Sequence, residues 1–202
     1  MSGSPSHPPE AIGEPPPRPA RALLPGDLRL ATLPRFERFV LTAGGLGLLR
    51  PAPGTWGSLP PVLLTVAMVG FLGPHWTVNA SLVVLAVAAS VGCVRFGANA
   101  ERASGRKDAS AVVIDEVAGQ AIALLAMPWR VPAGPADWRW NLVWALVAFL
   151  AFRAMDILKP PPAHQVQRLK GGLGILMDDL IAGLYALALT QIVARMVLPG
   201  VM

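Results

Sequence analysis

Five carboxylates stand in or beside apolar segments, where an ionised side chain is costly to bury. They lie in VVIDEVAGQ, FRAMDILKP and GILMDDLIAG, as Asp115, Glu116, Asp156, Asp178 and Asp179. Each buried charge costs on the order of several kcal/mol unless a partner compensates it. Oxygen ligands of this kind suit a hard divalent cation, and Mg²⁺ fits best because it keeps waters that a phosphate can replace. We therefore predict that all five acids are catalytic and that they bind Mg²⁺.

The adjacent pair of aspartates is expected to divide its work. Neighbouring residues on a helix point about 100° apart, so Asp178 and Asp179 cannot both face one point. One is expected to bind the cation, while the other orients a water or holds a basic side chain. The sequence does not distinguish which of the two does which.

Two basic residues flank Asp156 at a spacing of three. Arg153, Asp156 and Lys159 therefore share one face of a helix, which the prolines after Lys159 end. Arginine binds phosphate through two parallel hydrogen bonds and lysine binds it as a point charge, so Arg153 and Lys159 fit a phosphate clamp. The competing interpretation is an internal ion pair with a lysine that reaches toward the membrane surface.

Glycine-rich turns precede the first and the last apolar segment. They read PAPGTWGS at 51–58 and KGGLG at 170–174. Glycine lets backbone N–H groups approach an oxyanion closely, and a helix N-terminus adds a favourable dipole. We predict that Thr55, Ser58, Gly171 and Gly172 contribute to phosphate binding, although Thr55 or Ser58 would equally suit a helix cap.

The composition indicates an integral membrane protein. Of the 202 residues, 53% are hydrophobic and only 14% are charged. No Asp, Glu, Lys or Arg occurs between Pro51 and Val94, a stretch long enough for two crossings of about 20 residues each. We predict an all-α bundle of about five membrane-embedded helices with the active-site residues at their cytoplasmic ends. The predicted segments are 58–74, 77–95, 112–129, 140–158 and 175–197.

The basic residues predict the orientation of this bundle. Residues 1–34 are rich in proline and are expected to form a disordered cytoplasmic tail. With that tail inside, residues 95–110 and 159–174 also face the cytoplasm, and most Lys and Arg fall on that side. Only Arg130, Arg139 and Arg195 fall on the other, in agreement with the positive-inside rule.

The third and fifth segments share a pattern of two acids followed by small residues. The two stretches are IDEVAGQAIALLA at 114–126 and MDDLIAGLYALAL at 177–189. Small residues let membrane helices approach closely, so Gly119 and Gly183 predict tight packing between these segments. The similarity does not by itself establish an internal repeat.

Several functional classes fit the sequence poorly. The net charge of +5 does not indicate nucleic acid binding, because the basic residues form no basic helix with interleaved aromatics. The three histidines stand in no hydrolase motif, which argues against a histidine nucleophile. A cation-coupled transporter remains an alternative, and its acids should lie at mid-membrane. A membrane scaffold without catalytic function would leave five costly charges without a use.

In their order and spacing, PAPGTWGSLP, VVIDEVAGQ, FRAMDILKPPP and GGLGILMDDLIAG resemble the four signature blocks of the bacterial phosphatidylglycerophosphatase A family. The resemblance runs from about Leu41 to Leu189. It implies that residues 35–202 form a multi-pass catalytic domain in the bacterial inner membrane, with the active site facing the cytoplasm. The family's acidic blocks map onto Asp115 and Glu116, onto Asp156 with Lys159, and onto Asp178 and Asp179.

The resemblance also implies a reaction, the Mg²⁺-dependent removal of the terminal phosphate of phosphatidylglycerophosphate to give phosphatidylglycerol. We expect a water to attack phosphorus in line, while Arg153 and Lys159 balance the charge on the phosphate oxygens. A direct aspartyl nucleophile is the alternative. The sequence predicts neither a protein partner nor an oligomeric state.

Overall fold

The computed structural model describes residues 30–106, 109–166 and 171–197, and these ranges contain helices and no β-strand. The predicted all-α class is therefore confirmed, whereas the predicted tail lies almost wholly outside the described residues. Two short 3₁₀ turns, Leu30–Thr32 and Leu46–Leu48, flank the first helix. The α-helices are α1 Arg35–Leu41, α2 Pro53–Leu72, α3 Trp76–Ser104, α4 Ile114–Ala123, α5 Pro135–Leu158, α6 Ala163–Val166 and α7 Gly172–Val197.

Four of these helices are long and apolar enough to cross a membrane. They are α2, α3, α5 and α7, the last over Gly172–Met196. Each helix begins a few residues before its predicted segment, and α3 continues to Ser104 instead of ending near residue 95. A helix can continue beyond the hydrocarbon core into the headgroup region or water. The apolar residues therefore predict where the chain crosses the membrane better than they predict where the helix begins and ends. The chain is a multi-pass membrane protein.

The third predicted segment does not form a helix of crossing length. Only Ile114–Ala123 is helical, and ten residues rise about 15 Å, half of the hydrocarbon thickness. The chain then turns at Ala126, which has a φ of 53°, and Pro128 follows closely. Because proline lacks an N–H and clashes with the preceding turn, the helix cannot continue through it. The prediction of a helix over 112–129 is therefore wrong in its second half.

Side-chain amides from three long helices bind the irregular backbone that follows α4. Asn79 accepts a hydrogen bond from the N–H of Ala126, and Gln191 donates one to its carbonyl, both at 2.9 Å. Asn141 is buried and bonds both the N–H and the carbonyl of Arg130, each at 2.9 Å. Unpaired backbone groups away from water cost on the order of several kcal/mol, so these amides allow the chain to leave helical geometry inside the bundle.

Helices α4 and α7 run in the same direction and are closest at two glycines. A Cβ atom on Gly183 would lie 2.5 Å from the carbonyl oxygen of Gly119. A Cβ atom on Gly119 would lie 2.5 Å from the carbonyl oxygen of Asp179. Only hydrogen fits at either position, which confirms the close packing predicted for this pair. The contact brings the first turn of α4 against the second turn of α7.

The start of α2 and the end of α5 meet at the same end of the bundle. A Cβ atom on Gly54, in the first turn of α2, would lie 3.0 Å from Nη1 of Arg153 near the end of α5. The same atom would lie 2.5 Å from Oε1 of Glu116 in the first turn of α4. At the other end, Gly70 of α2 contacts Trp138 of α5. We call the end that holds Glu116 the acidic end.

Replacing Asn141 with Leu is expected to lower the stability of the protein by about 2–4 kcal/mol. The change removes two hydrogen bonds made by a buried side chain and leaves both backbone groups of Arg130 without that partner. Thermal unfolding in detergent would show this as a melting temperature several degrees lower. Leu142→Ala, at an exposed neighbouring position, is the matched control. An unchanged melting temperature for Asn141→Leu would contradict the role given to this amide.

Gly183→Ala is expected to destabilise the bundle by about 1–3 kcal/mol, because the added methyl group meets backbone rather than a side chain that could move aside. Gly134→Ala is the control, since a Cβ atom there meets nothing within 4 Å. Melting temperatures of the two variants in the same detergent test the prediction. Equal effects at the two positions would show that α4 and α7 can separate without cost.

Candidate active site

Three carboxylates meet where α4 and α7 pack together at the acidic end. Asp115 and Glu116 lie in the first turn of α4, and Asp179 lies in the second turn of α7. One carboxylate oxygen from each lies within 4.8 Å of the other two. We call these three residues the acid triad. Oε2 of Glu116 and Oδ2 of Asp179 are buried and have no hydrogen-bond partner among the described residues.

Ionising all three carboxyl groups of the acid triad together requires a compensating positive charge. Three negative charges at this separation would repel one another strongly where water is excluded, and the N-terminal dipole of α4 would offset only part of that repulsion. The ligand atoms are all carboxylate oxygens, and two of them carry unused lone pairs. Such a set fits a hard divalent cation. The acid triad is therefore a cluster that could hold a metal ion.

The adjacent aspartates have different partners. Oδ2 of Asp178 accepts a hydrogen bond from Nζ of Lys159 at 2.6 Å, whereas Asp179 belongs to the acid triad. The divergence follows from the rotation of about 100° between successive helical residues. Asp178 therefore acts as the counter-ion of a lysine, and Asp179 is the member of the pair that lies in the candidate metal cluster.

Asp156 links the acid triad to the basic residues. Its Oδ2 lies 2.8 Å from Nη1 of Arg153, one turn earlier on α5. Its carboxyl group also contacts that of Asp179. The ion pair that the sequence allowed as an alternative to a phosphate clamp is therefore present. Because it lies directly beside the acid triad, it does not exclude a role for Arg153 in binding phosphate.

Lys159 is held in an unusual backbone conformation at the end of α5. It caps the helix with φ 45° and ψ 58°, a left-handed geometry that costs an ordinary residue about 1–2 kcal/mol. Burial acts to lower the pKa of Lys159, but the hydrogen bond and charge of Asp178, with the charges of Asp156 and Asp179, outweigh burial and raise it. Lys159 is therefore a stable cation at the edge of the site.

The site lies near one end of the crossing and not at its middle. Arg153 follows Pro135 by about 18 residues along α5, which is a rise of about 27 Å, and the hydrocarbon core is about 30 Å thick. The acid triad contacts Arg153 through Asp156 and through Gly54. This depth agrees with the sequence prediction and disagrees with the mid-membrane acids expected of a transporter.

The first glycine turn reaches the site through a residue that the sequence reasoning did not select. Gly54 contacts both Glu116 and Arg153. Ser58 is buried and its hydroxyl donates to the carbonyl of Gly54 at 2.8 Å, within its own helix. Helix α2 begins at Pro53 without a side-chain cap, so the helix-cap interpretation of Thr55 and Ser58 is wrong. Thr55 lies in the first turn of α2, and its proposed contact with phosphate remains a prediction.

The second glycine turn packs against α3 instead of against the acids. The N–H of Gly171, which has a φ of 69°, donates to Oε2 of Glu101 at 3.1 Å. A Cβ atom on Gly172 would collide with the carbonyl group of Cys93. Gly172 also lies about 10 Å along the axis of α7 from Asp179. The phosphate contacts predicted for Gly171 and Gly172 therefore find no support in the structure, which gives them a turn and a packing role.

Gln120 is a second residue that the sequence reasoning missed. It lies one turn after Glu116 on α4 and is fully buried. Neither atom of its amide has a hydrogen-bond partner in the part of the chain that the structure describes. The sequence did contain a signal for this residue. Gln120 is a polar residue in an apolar segment, and it follows Glu116 by four positions, which places both on the same face of a helix.

Comparisons with known proteins show which family this chain resembles. Residues 39–194 match the family described as Phosphatidylglycerophosphatase A. The phosphatidylglycerophosphatase A of Haemophilus influenzae is 37% identical over 143 residues, which cover 70% of this chain and 78% of the relative. The phosphatidylglycerophosphatase A of Escherichia coli is 33% identical over 140 residues, which cover 69% of this chain and 72% of the relative. A putative phosphatidylinositol-3-phosphatase of Bacteroides thetaiotaomicron is 37% identical over 170 residues, covering 82% and 98%.

No solved structure matches the chain. The family match nevertheless contains the complete acid triad, both ion pairs and the turn that holds Gly54. The match therefore covers the helical membrane bundle and the acid triad at one end of it. The chain therefore belongs to the phosphatidylglycerophosphatase A family and is a phosphatase.

Proposed function

We propose that this protein hydrolyses the terminal phosphomonoester of phosphatidylglycerophosphate, giving phosphatidylglycerol and phosphate, with Mg²⁺ as its cofactor. The observation that carries the proposal is the acid triad, which lies beside Arg153 and Lys159 at one end of a membrane bundle. The names of two relatives support the choice of substrate.

The depth of the site suits a phosphorylated lipid. Such a lipid keeps its acyl chains in the hydrocarbon and presents its phosphate at the headgroup plane. A site about 27 Å from the far end of α5 lies close to that plane, given a hydrocarbon core of about 30 Å. A lipid could therefore reach the acid triad without leaving the bilayer.

The chemistry divides between the acids and the basic residues. When bound, Mg²⁺ supplies Lewis-acid polarisation of a phosphate oxygen and lowers the pKa of a water. Asp115, Glu116 and Asp179 would hold it, while Arg153 and Lys159 neutralise the non-bridging oxygens of the phosphate. A bond forms from the water oxygen to phosphorus as the bond from phosphorus to the glycerol oxygen breaks. The glycerol oxygen leaves with a proton.

The ion pairs keep the two basic side chains in position before the substrate binds. Asp178 holds Lys159, and Asp156 holds Arg153. An arriving phosphate offers these cations a second anionic partner at the same place, so little side-chain freedom is lost on binding. These contacts support a positioning role for Asp178 and Asp156 and a metal-binding role for the acid triad.

The acidic end is proposed to face the cytoplasm across a bacterial inner membrane. Arginines concentrate at this end, on α1, on the last turns of α3 and just after α3, namely Arg35, Arg38, Arg95, Arg102 and Arg106. Among the described residues the opposite end carries Arg130, Arg139 and Arg195. Basic residues favour the cytoplasmic side of membrane proteins.

A phosphorylated inositol lipid is a second candidate substrate. The observation in its favour is the Bacteroides relative, nearly all of whose length the alignment covers. Both substrates present a phosphomonoester on a polyol headgroup, which is the part that the acid triad would recognise. Phosphate release from the two lipids, compared at equal surface concentration, would rank them.

Asp179→Asn is expected to abolish the metal response of the enzyme, and Asp178→Asn is the matched control next to it. Ligand binding raises stability by mass action, so saturating Mg²⁺ should raise the melting temperature of the wild type. That rise should vanish in Asp179→Asn and persist in Asp178→Asn. Phosphate release from phosphatidylglycerophosphate should fall at least about 100-fold in Asp179→Asn and in EDTA.

Two outcomes would contradict this assignment. Undiminished phosphate release in EDTA would remove the metal from the proposal, and a normal Mg²⁺ response in Asp179→Asn would place the metal elsewhere. Rapid acid quench of turnover with substrate labelled by ³²P in its terminal phosphate also tests the nucleophile, because a phospho-aspartate route leaves labelled protein. Direct attack by water leaves the label in the released phosphate and none on the protein.

Lys159→Met is expected to lower kcat/KM by about tenfold or more, since it removes a charge from the phosphate oxygens while leaving the acid triad intact. The Mg²⁺-dependent rise in melting temperature should remain. Arg139→Met, an exposed position at the opposite end, is the control for the loss of a surface charge. Normal kinetics in Lys159→Met would reduce the Lys159–Asp178 pair to a structural ion pair.

A further inference from the structure

The segment around α1 exposes large apolar side chains on a helix of only seven residues. Phe36 and Phe39 are 67% and 63% exposed, and Leu48 and Leu49, just beyond the next turn, are 49% and 43% exposed. Arg35 and Arg38 alternate with the phenylalanines along α1. We call these six residues the α1 surface. Aromatic, aliphatic and basic side chains therefore lie next to one another on this short segment.

Contacts with α3 fix the depth of the α1 surface. The ring of Phe36 packs edge-on against Phe96, with centroids 6.0 Å apart. Phe96 follows Trp76 by about 20 residues, a rise of about 30 Å, which equals the thickness of the hydrocarbon core. One turn further, Nδ2 of Asn99 donates to Oε2 of Glu37 at 2.9 Å. The α1 surface therefore lies at the boundary between hydrocarbon and headgroups at the acidic end.

The charge of the α1 surface is positive. Glu37 is the single acid on α1, and its carboxylate is engaged by Asn99 on the side that faces α3. Arg95, beside Phe96, adds a third guanidinium 5.9 Å from that ring. Arginine binds phosphate groups well, and aromatic rings favour the headgroup level of a bilayer. Short basic and aromatic helices of this kind bind anionic membrane surfaces.

The α1 surface is joined directly to the candidate site. The carbonyl of Leu41, the last residue of α1, accepts a hydrogen bond from the N–H of Val113 at 2.9 Å, immediately before α4. Gly47 packs against the backbone of Ala111. The chain then continues into α2, where Gly54 contacts Glu116. A lipid held on α1 would therefore lie next to the segments that lead into α4 and α2, which carry Glu116 and Gly54.

We propose that the α1 surface binds anionic phospholipid headgroups in the leaflet at the acidic end and holds the lipid substrate next to the acid triad. The second half of this statement rests on the proposed function, whereas the binding of anionic headgroups does not. A protein partner or a second copy of the chain would be the competing occupants of the same surface.

Spin labels test the placement of α1 independently of activity. Because Cys93 is fully buried, a cysteine introduced at Phe36 or Phe39 would be the accessible thiol to label. In nanodiscs of phosphatidylcholine with phosphatidylserine, relaxation by oxygen and by a water-soluble nickel complex should place both labels at the headgroup boundary. Val87→Cys on the exposed face of α3 should report hydrocarbon, and Arg106→Cys should report water. Two results would overturn the proposal. The labels on α1 could be as accessible to the nickel complex as the label at position 106, or a protein contact could shield them from both oxygen and nickel.

Kinetics test the capture of substrate. The double variant Arg35→Gln, Arg38→Gln should raise the KM for phosphatidylglycerophosphate in nanodiscs at least about fivefold, since one basic residue near an anionic surface contributes about that factor. The kcat and the Mg²⁺-dependent melting shift should be retained. The double variant Arg102→Gln, Arg106→Gln removes the same number of charges outside the α1 surface and should leave both constants unchanged. An unchanged KM in an active double variant would overturn substrate capture alone, whereas an inactive wild type would refute the proposed function and leave the spin-label result standing.

Discussion

The mutual repulsion of three carboxylates, two of them buried and one half-buried, is the constraint on which the arrangement of this bundle depends. Asp115, Glu116 and Asp179 come within 4.8 Å of one another where water is largely excluded. Without a cation this cluster would favour the separation of α4 from α7. Each remaining feature of the acidic end either supplies positive charge or holds the two helices together against that repulsion.

Two glycines and three side-chain amides hold α4 in position against the longer helices. The contact between Gly119 and Gly183 brings α4 and α7 close enough for the acids to meet, and no larger residue fits there. At the far end of α4, Asn79, Asn141 and Gln191 bind the backbone that leaves the helix. A short helix is thereby fixed at both ends inside a bundle of longer ones, so its first turn cannot drift away from α7.

Two ion pairs provide the electrostatic support. Arg153 and Lys159 lie one helical turn or more apart along the last part of α5, and each is matched to its own carboxylate, Asp156 or Asp178. The triad itself carries no such partner among the described residues at Oε2 of Glu116 or Oδ2 of Asp179. Asp156 and Asp178 therefore each contact a basic side chain, whereas Asp115, Glu116 and Asp179 form the cluster that could hold a metal ion.

The sequence by itself determined the membrane character, the five acids and two basic residues of interest, and the family that they resemble, because residue type and order carry that information. It also predicted the approach of Gly119 to Gly183, since small residues mark helix contacts in membranes. Only the tertiary structure decided that α4 stops at Ala123, because amides distant in sequence pair the backbone beyond it. It also gave Asp178 and Asp179 different partners and placed Gly171 and Gly172 in contact with α3. These outcomes depend on which neighbour lies opposite each residue, and hydrophobic patterning along one chain does not specify that neighbour.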